Sequence, residues 1–120
     1  MLEEVFEALH ELRPPFAPYE ADLHLLVESQ RLRGGFPYRH EARVGAGCRV
    51  DYLVGDVAIE IKKGRPAPAA LLRQLQRYLR LESVGGMIVV TETSVALPSL
   101  VCGKPVRALA LRHLWGVALP

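Results

Sequence analysis

Apolar positions recur along the chain with two different periods, and the switch between them sets out its elements. Leu2, Val5, Phe6, Leu9 and Leu12 return at helical spacing, with acids early and His10 and Arg13 late, until Pro14-Pro15 stops the run. This predicts a first helix, with His10 as a solvated partner of the helix dipole. A second helix is predicted from Tyr19 to Leu32, with Leu23, Leu26 and Val27 as its inward stripe and Gly34-Gly35 as its stop. Glu20 lies three residues before Leu23 and seven before Val27, so it shares that stripe although it is charged. It is either a first-turn acid favoured by the dipole or part of a site, and His24, one turn further on, is either a packed histidine or a support for that site.

From Phe36 the period falls to two. Phe36 to Val44 reads as a strand, and Gly45-Ala46-Gly47 turns it into a second, Arg49 to Val54. Val57 to Lys62 alternates again, and between these two runs stands Gly55-Asp56, a two-residue loop of the kind that closes a tight hairpin. Counting outward from that loop pairs Val54 with Val57, Leu53 with Ala58, Tyr52 with Ile59 and Asp51 with Glu60. Val50, Tyr52, Val54, Val57, Ile59 and Ile61 then make one apolar face. The other face sets two carboxylates against each other, which is destabilising by itself, and Lys62 follows Glu60 on the same side. Two readings are open: an exposed face with an ion-paired triplet, or an oxygen-rich site for a divalent cation. If the preceding loop pairs Val44 with Cys48, Glu41 comes opposite Asp51 and adds a third acid to the row.

Beyond the break at Gly64-Arg65-Pro66 the helical period returns. A helix is predicted over Ala67 to Glu82, begun near Pro66 or Pro68, with Leu71, Leu75, Tyr78 and Leu79 as its buried stripe. Gln74 and Tyr78, one turn apart, put polar groups into that stripe, and buried polar groups need partners. Arg73, Arg77 and Arg80 line another face, either a phosphate-contacting ridge or a solvated surface. Met87-Ile88-Val89-Val90, introduced by Gly85-Gly86, has the length of a central strand. Thr91 to Pro98 is turn and loop, Val106 to Leu111 suggests a further strand, and His113-Leu114-Trp115 a short helix or packing tail. The order is ααβββαββ, an α/β fold in which a mixed β-sheet is flanked by helices, because the long helix offers a crossover between strands.

Composition narrows this picture only a little. At 120 residues, half of them hydrophobic, the chain is expected to form a single domain spanning 1–120, neither disordered nor fibrous. A net charge of +2 does not announce a nucleic-acid binder by bulk electrostatics. Arginine outnumbers lysine twelve to three, and asparagine is absent. Cys48 and Cys102 make no CxxC and no disulfide framework, so reduced thiols in a cytoplasmic protein are expected. No apolar run approaches membrane-spanning length and Met1-Leu2-Glu3-Glu4 lacks a basic leader, so no membrane association or export is expected.

The parts together resemble a known pattern. Asp51, eight residues, then Glu60-Ile61-Lys62 resembles the Asp…(Asp/Glu)-x-Lys signature of the PD-(D/E)XK nuclease superfamily. Gln74-Leu75-Gln76-Arg77-Tyr78 resembles the Gln-x-x-x-Tyr element of its RecB-like branch, on the helix after the lysine strand. Tyr19-Glu20, followed by leucines and Gly34-Gly35, looks like the acidic helix of small GxxExxY-type members. The resemblance spans residues 16 to 92. It departs from the superfamily's name at Val50, where proline would precede the aspartate, and it includes a second lysine, Lys63, which strand alternation turns away from Asp51.

The resemblance implies a restriction-endonuclease-like fold and a metal-dependent nuclease that hydrolyses DNA with Mg²⁺ or Mn²⁺. Asp51, Glu60, the Ile61 main-chain carbonyl and Glu20 would be the metal ligands, and Lys62 the catalytic lysine that orients or deprotonates water. Gln74, Tyr78, Arg73 and Arg77 would steady the site or the DNA. A homodimer is expected, since cutting a duplex calls for two active sites. The alternative is a catalytically silent nuclease-fold subunit that binds DNA or a protein partner.

Overall fold

One strand, β4 (Gly86–Thr91), is buried along its whole length, and the rest of the sheet is laid out around it. Its β-branched and apolar run can satisfy packing on both sides at once, as the central strand of a parallel region must. In the computed structural model, which describes residues 2–10, 38–45, 47–62, 64 and 66–110, β4 is flanked by two parallel neighbours. These are β3 (Val57–Lys62) and β6 (Lys104–Ala110). β2 (Cys48–Val54) runs antiparallel to β3, β1 (Arg39–Gly45) antiparallel to β2, and the short β5 (Leu100–Val101) antiparallel to β6. The result is a six-stranded mixed sheet in the order β1-β2-β3-β4-β6-β5.

Each face of the sheet has its own helix. α1 (Leu2–His10) sets Leu2, Val5 and Phe6 against Tyr52, Val54, Val57, Ile59, Ile61, Ile88, Val90 and Leu109. It is fastened to β6 by Arg107, whose guanidinium lies 3.9 Å from the Phe6 ring centroid and 2.6 Å from Glu3 Oε1. α2 (Pro68–Leu79) covers the other face with Leu71, Leu75, Tyr78 and Leu79, against Leu53, Ala58, Met87, Val89 and Val106. Burying each such side chain contributes about 1.5–3 kcal/mol, so both faces help to hold the sheet. α2 also spans the crossover between the parallel strands β3 and β4. Among the described residues no helix is long and apolar enough to cross a membrane.

Several boundaries differ from the sequence expectation. α2 begins at Pro68, where a proline costs no intrahelical hydrogen bond, but it ends at Leu79 and not at Glu82. The chain beyond it is held by a tertiary partner, because Lys104 Nζ from β6 donates to the carbonyls of Leu81 and Val84 at 2.8 and 2.7 Å. β6 starts two residues before Val106, and β5 was not anticipated. Its turn onto β6 puts Cys102 and Gly103 at φ of 54° and 74°, the left-handed pair that suits a two-residue hairpin, and a cysteine gives little sign of that role. The second helix expected from Tyr19 to Leu32 and the segment His113 to Trp115 lie outside the described residues.

The hairpin turn at Gly55-Asp56 is where the sequence puts it. Gly55 takes a φ of 63°, which glycine adopts without strain, and the register pairs Val54 with Val57, Leu53 with Ala58 and Tyr52 with Ile59. The alternation of β2, however, is not the one expected. Val50 packs in the α2-side cluster with Cys48 and Ala42, whereas Tyr52 belongs to the α1 side. β1 changes sides at the same level. His40 stacks on Tyr52 at 4.6 Å between ring centroids, Ala42 faces α2, and Glu41 between them has a φ of 53°. A left-handed residue in one strand rotates all that follows, so the far end of the β1–β2 hairpin turns its apolar side toward α2. A second irregularity, between Arg43 and Gly45, pairs Gly45 and not Val44 with Cys48.

Candidate active site

The irregularity at Glu41 lies level with Asp51, where the β2–β3 pairing also changes character. The backbone register between these strands runs from Val54–Val57 to Tyr52–Ile59. Beyond it the two acids connect the strands by side chain. The Asp51 N–H donates to Glu60 Oε1 at 2.9 Å, and the Ile61 N–H donates to Asp51 Oδ2 at 2.7 Å. Each carboxylate thus accepts from the main chain of the opposite strand, a charge-assisted arrangement stronger than a neutral pair. It fixes both carboxyl groups against the backbone without free rotation.

Glu60 is 5 % exposed and Asp51 half-buried. Burial and then the neighbouring Asp51 charge push the Glu60 carboxyl up to about 7, although the Asp51 N–H bond and the Lys62 ammonium pull the other way. Lys62 Nζ stands 3.5 Å from Glu60 Oε2, with its side chain 29 % exposed. The lysine therefore touches the acid on one side and solvent on the other.

α2 supplies the next layer. Gln74 Nε2 donates to Glu60 Oε2 at 3.5 Å, the outer limit of a hydrogen bond, and to the Tyr78 hydroxyl at 3.3 Å. Tyr78 in turn donates to the Arg49 carbonyl at 3.2 Å. The one-turn spacing of Gln74 and Tyr78 is what lets a single amide reach both. The polar interruption of the helix stripe thus has its partners in the hairpin, including the Arg49 main-chain carbonyl.

The residues singled out in the sequence are therefore partly gathered. Asp51, Glu60, Ile61, Lys62, Gln74 and Tyr78 form one connected cluster. Arg73 and Arg77 are exposed on α2. Glu41 comes across from Asp51 by register, since His40 pairs with Tyr52 and Ala42 with Val50, but it is exposed. Glu20, His24 and Lys63 lie outside the described residues. Among the described residues, no group of three or more His, Cys, Asp or Glu side chains is placed to hold a metal ion; the acids of the cluster are two.

One residue of the neighbourhood escaped the sequence reading. Glu92 Oε1 accepts the Gly64 N–H at 2.8 Å, and Gly64 has a φ of 76°. Glu92 thereby ties down the chain just after Lys62, from the carboxyl end of the adjacent parallel strand. The signal available was the abrupt change from Val89-Val90 to Thr91-Glu92-Thr93, at the strand end where open α/β sheets place their ligands. No protein-family model, curated protein or solved structure matches the chain.

Proposed function

We propose that the chain is a metal-dependent deoxyribonuclease of restriction-endonuclease-like fold, which hydrolyses phosphodiester bonds at a centre made of Asp51, Glu60 and Lys62. The observation that carries this reading is the meeting of a buried glutamate, a half-buried aspartate and a partly exposed lysine, at the place where β2 and β3 exchange backbone pairing for side-chain pairing. An apolar triplet there would be more stable. The element order supports the same reading: an antiparallel β1–β2–β3 meander, a crossover helix with Gln74 and Tyr78, and a parallel β4.

The donor chemistry fits a hard divalent cation. Two carboxylates and a main-chain carbonyl are oxygen ligands of the kind Mg²⁺ and Mn²⁺ prefer, and a carboxyl held up to about 7 beside a second acid is one that a cation would return to its charged form. Asp51, Glu60 and the Ile61 carbonyl would hold the ion, with Glu20 completing the acidic shell. When bound, the ion supplies Lewis-acid polarisation of the phosphoryl group and acidifies water.

The chain's own side chains do the rest. Lys62 orients the attacking water and stabilises the charge that gathers on the phosphoryl oxygens. The water oxygen gives up a proton to solvent and bonds to phosphorus as the bond from phosphorus to the leaving nucleotide oxygen breaks, and that oxygen takes up a proton from solvent. Glu60 keeps the Lys62 ammonium in place, Gln74 and Tyr78 brace Glu60, and Arg73 and Arg77 meet the phosphates of the strand. Cutting both strands of a duplex needs two such centres, so the working unit is a homodimer; sedimentation that finds monomer alone at micromolar concentration counts against this.

The deciding assay measures cleavage of plasmid and branched DNA with Mg²⁺ or Mn²⁺. Lys62→Ala is expected to lower the rate by about 10²–10⁴-fold. Undiminished cleavage by the variant refutes the assignment. A second reading, a silent nuclease-fold subunit that binds DNA or a protein partner, has one observation in its favour: protein donors already occupy both Glu60 oxygens and Asp51 Oδ2. Calorimetry that detects no Mg²⁺ or Mn²⁺ binding at millimolar metal, with DNA binding intact, selects it.

A further inference from the structure

We propose that Glu92 is a positioning residue of the Asp51–Glu60–Lys62 centre, which holds the end of β3 through the Gly64 N–H and so fixes where Lys62 stands; the proposal rests on the nuclease reading and adds a residue to it. Glu92 Oε1 accepts the Gly64 N–H at 2.8 Å, which joins the end of β4 to the chain two residues past Lys62. Between Ser83 and Gly103 it is the one charged residue. It follows Thr91, the register partner of Lys62. A further acid beside a centre that must admit a polyanion opposes substrate binding, so its presence there calls for a role.

The sheet does not need this bond. β3 and β4 are already paired from Val57–Gly86 to Lys62–Thr91, and Gly64 is exposed, so water can satisfy its N–H. What the bond adds is restraint at the point where the chain leaves the sheet. Lys62 is the last residue of β3, and the ends of elements are the first places to open. Among the described residues its ammonium has one polar partner, Glu60 Oε2 at 3.5 Å. A single contact at the tip of a flexible four-carbon stem does not by itself fix an ammonium; the backbone beneath it has to be held as well.

Both ends of the anchor suit that task. Thr91 is fully buried, and its hydroxyl donates to the Thr93 carbonyl at 2.6 Å, which clamps the turn that carries Glu92. Gly64 has a φ of 76°, with open space where a Cβ would stand. Glycine is thus required there for its backbone freedom and not for room. A carboxylate accepting a main-chain N–H makes a stronger bond than a neutral acceptor. The precision matters because a displacement of about 1 Å at a reacting group costs about 10²-fold in rate.

The test compares Glu92→Ala with Glu92→Gln, whose amide oxygen can still accept the Gly64 N–H. In steady-state cleavage of a labelled DNA with Mg²⁺, with rates taken per folded molecule, Glu92→Ala should lower kcat by about 10- to 10²-fold and leave KM within about twofold of wild type. Glu92→Gln should retain kcat to within about threefold. In ¹⁵N relaxation, the order parameters of Lys62 and Gly64 should fall from about 0.85 to below about 0.6 in Glu92→Ala alone. A Glu92→Gln as impaired as Glu92→Ala would mean that the carboxylate charge acts directly on metal or proton, and overturns the anchor. Unchanged order parameters in Glu92→Ala overturn it whatever the activity. A Glu92→Ala that cuts as fast as wild type, while Lys62→Ala is inactive, also overturns it and leaves the nuclease reading intact. If wild type cuts no DNA with either metal while Glu92→Ala alone loosens Lys62 and Gly64, the nuclease reading falls and the hold on Lys62 stands.

Discussion

β3 sends its residues to two different surroundings. Val57, Ile59 and Ile61 face α1, where every neighbour in the cluster is apolar. Ala58 starts the other face in the same manner, but Glu60 and Lys62 follow it, and α2 meets them with Gln74 and Tyr78. The α1 face gains free energy from each residue it buries. The α2 face gives up part of that gain at Glu60, which is buried with a raised carboxyl pKa. A strand can carry such a group because its opposite face, and the Leu71, Leu75 and Leu79 stripe elsewhere on α2, supply the stability. The comparison teaches that fold and site are separated here by alternation within a single strand.

The contrast can be broken first on the apolar side. Ile59→Ala should cost about 2–5 kcal/mol in urea unfolding, while the DNA cleaved per folded molecule stays near wild type. A cost under about 1 kcal/mol would mean that the α1 face is not where the stability lies.

The polar side should answer to pH. Above the ordinary carboxyl value of 4.5 an unfolded chain releases the Glu60 proton, whereas the folded chain keeps it until about 7. The folded state therefore binds more protons across that window, and metal-free stability falls as pH rises through it, by on the order of 3 kcal/mol at most. Unfolding free energies measured at pH 5 and pH 8 should differ less in Glu60→Gln than in wild type. An identical pH dependence in both proteins would show that Glu60 ionises freely. The smallest effect is expected at the brace, where Tyr78→Phe deletes the hydroxyl between Gln74 and the Arg49 carbonyl and should cost about 0.5–1.5 kcal/mol. A variant as stable as wild type would remove the brace from the account of the site.

Much of the hairpin could be read in advance. Gly55-Asp56 fixed the turn, and the period of two then fixed the Val54–Val57, Leu53–Ala58 and Tyr52–Ile59 pairs, because in a two-residue loop register is local. Gln74 and Tyr78 were legible for a similar reason: one helical turn separates them, and polar groups in an apolar stripe must find partners. Val50 was misread because its face depends on a left-handed Glu41 in the neighbouring strand, and no local preference of glutamate announces that conformation. The early end of α2 depends on Lys104, which is far away in sequence. Glu92 was missed because its partner, the Gly64 N–H, belongs to another strand's end.

The sequence by itself determined β1 to β4 and β6, though not the short β5, and the identity of the charged triplet, since periodicity, turn residues and side-chain chemistry act over a few neighbours. The tertiary structure decided how that triplet is held. It turned the end of the β1–β2 hairpin toward α2, let each acid take a main-chain N–H from the opposite strand, and buried Glu60 against Asp51. Those outcomes depend on contacts between segments distant in the chain, where burial and geometry, and not local propensity, set the energy.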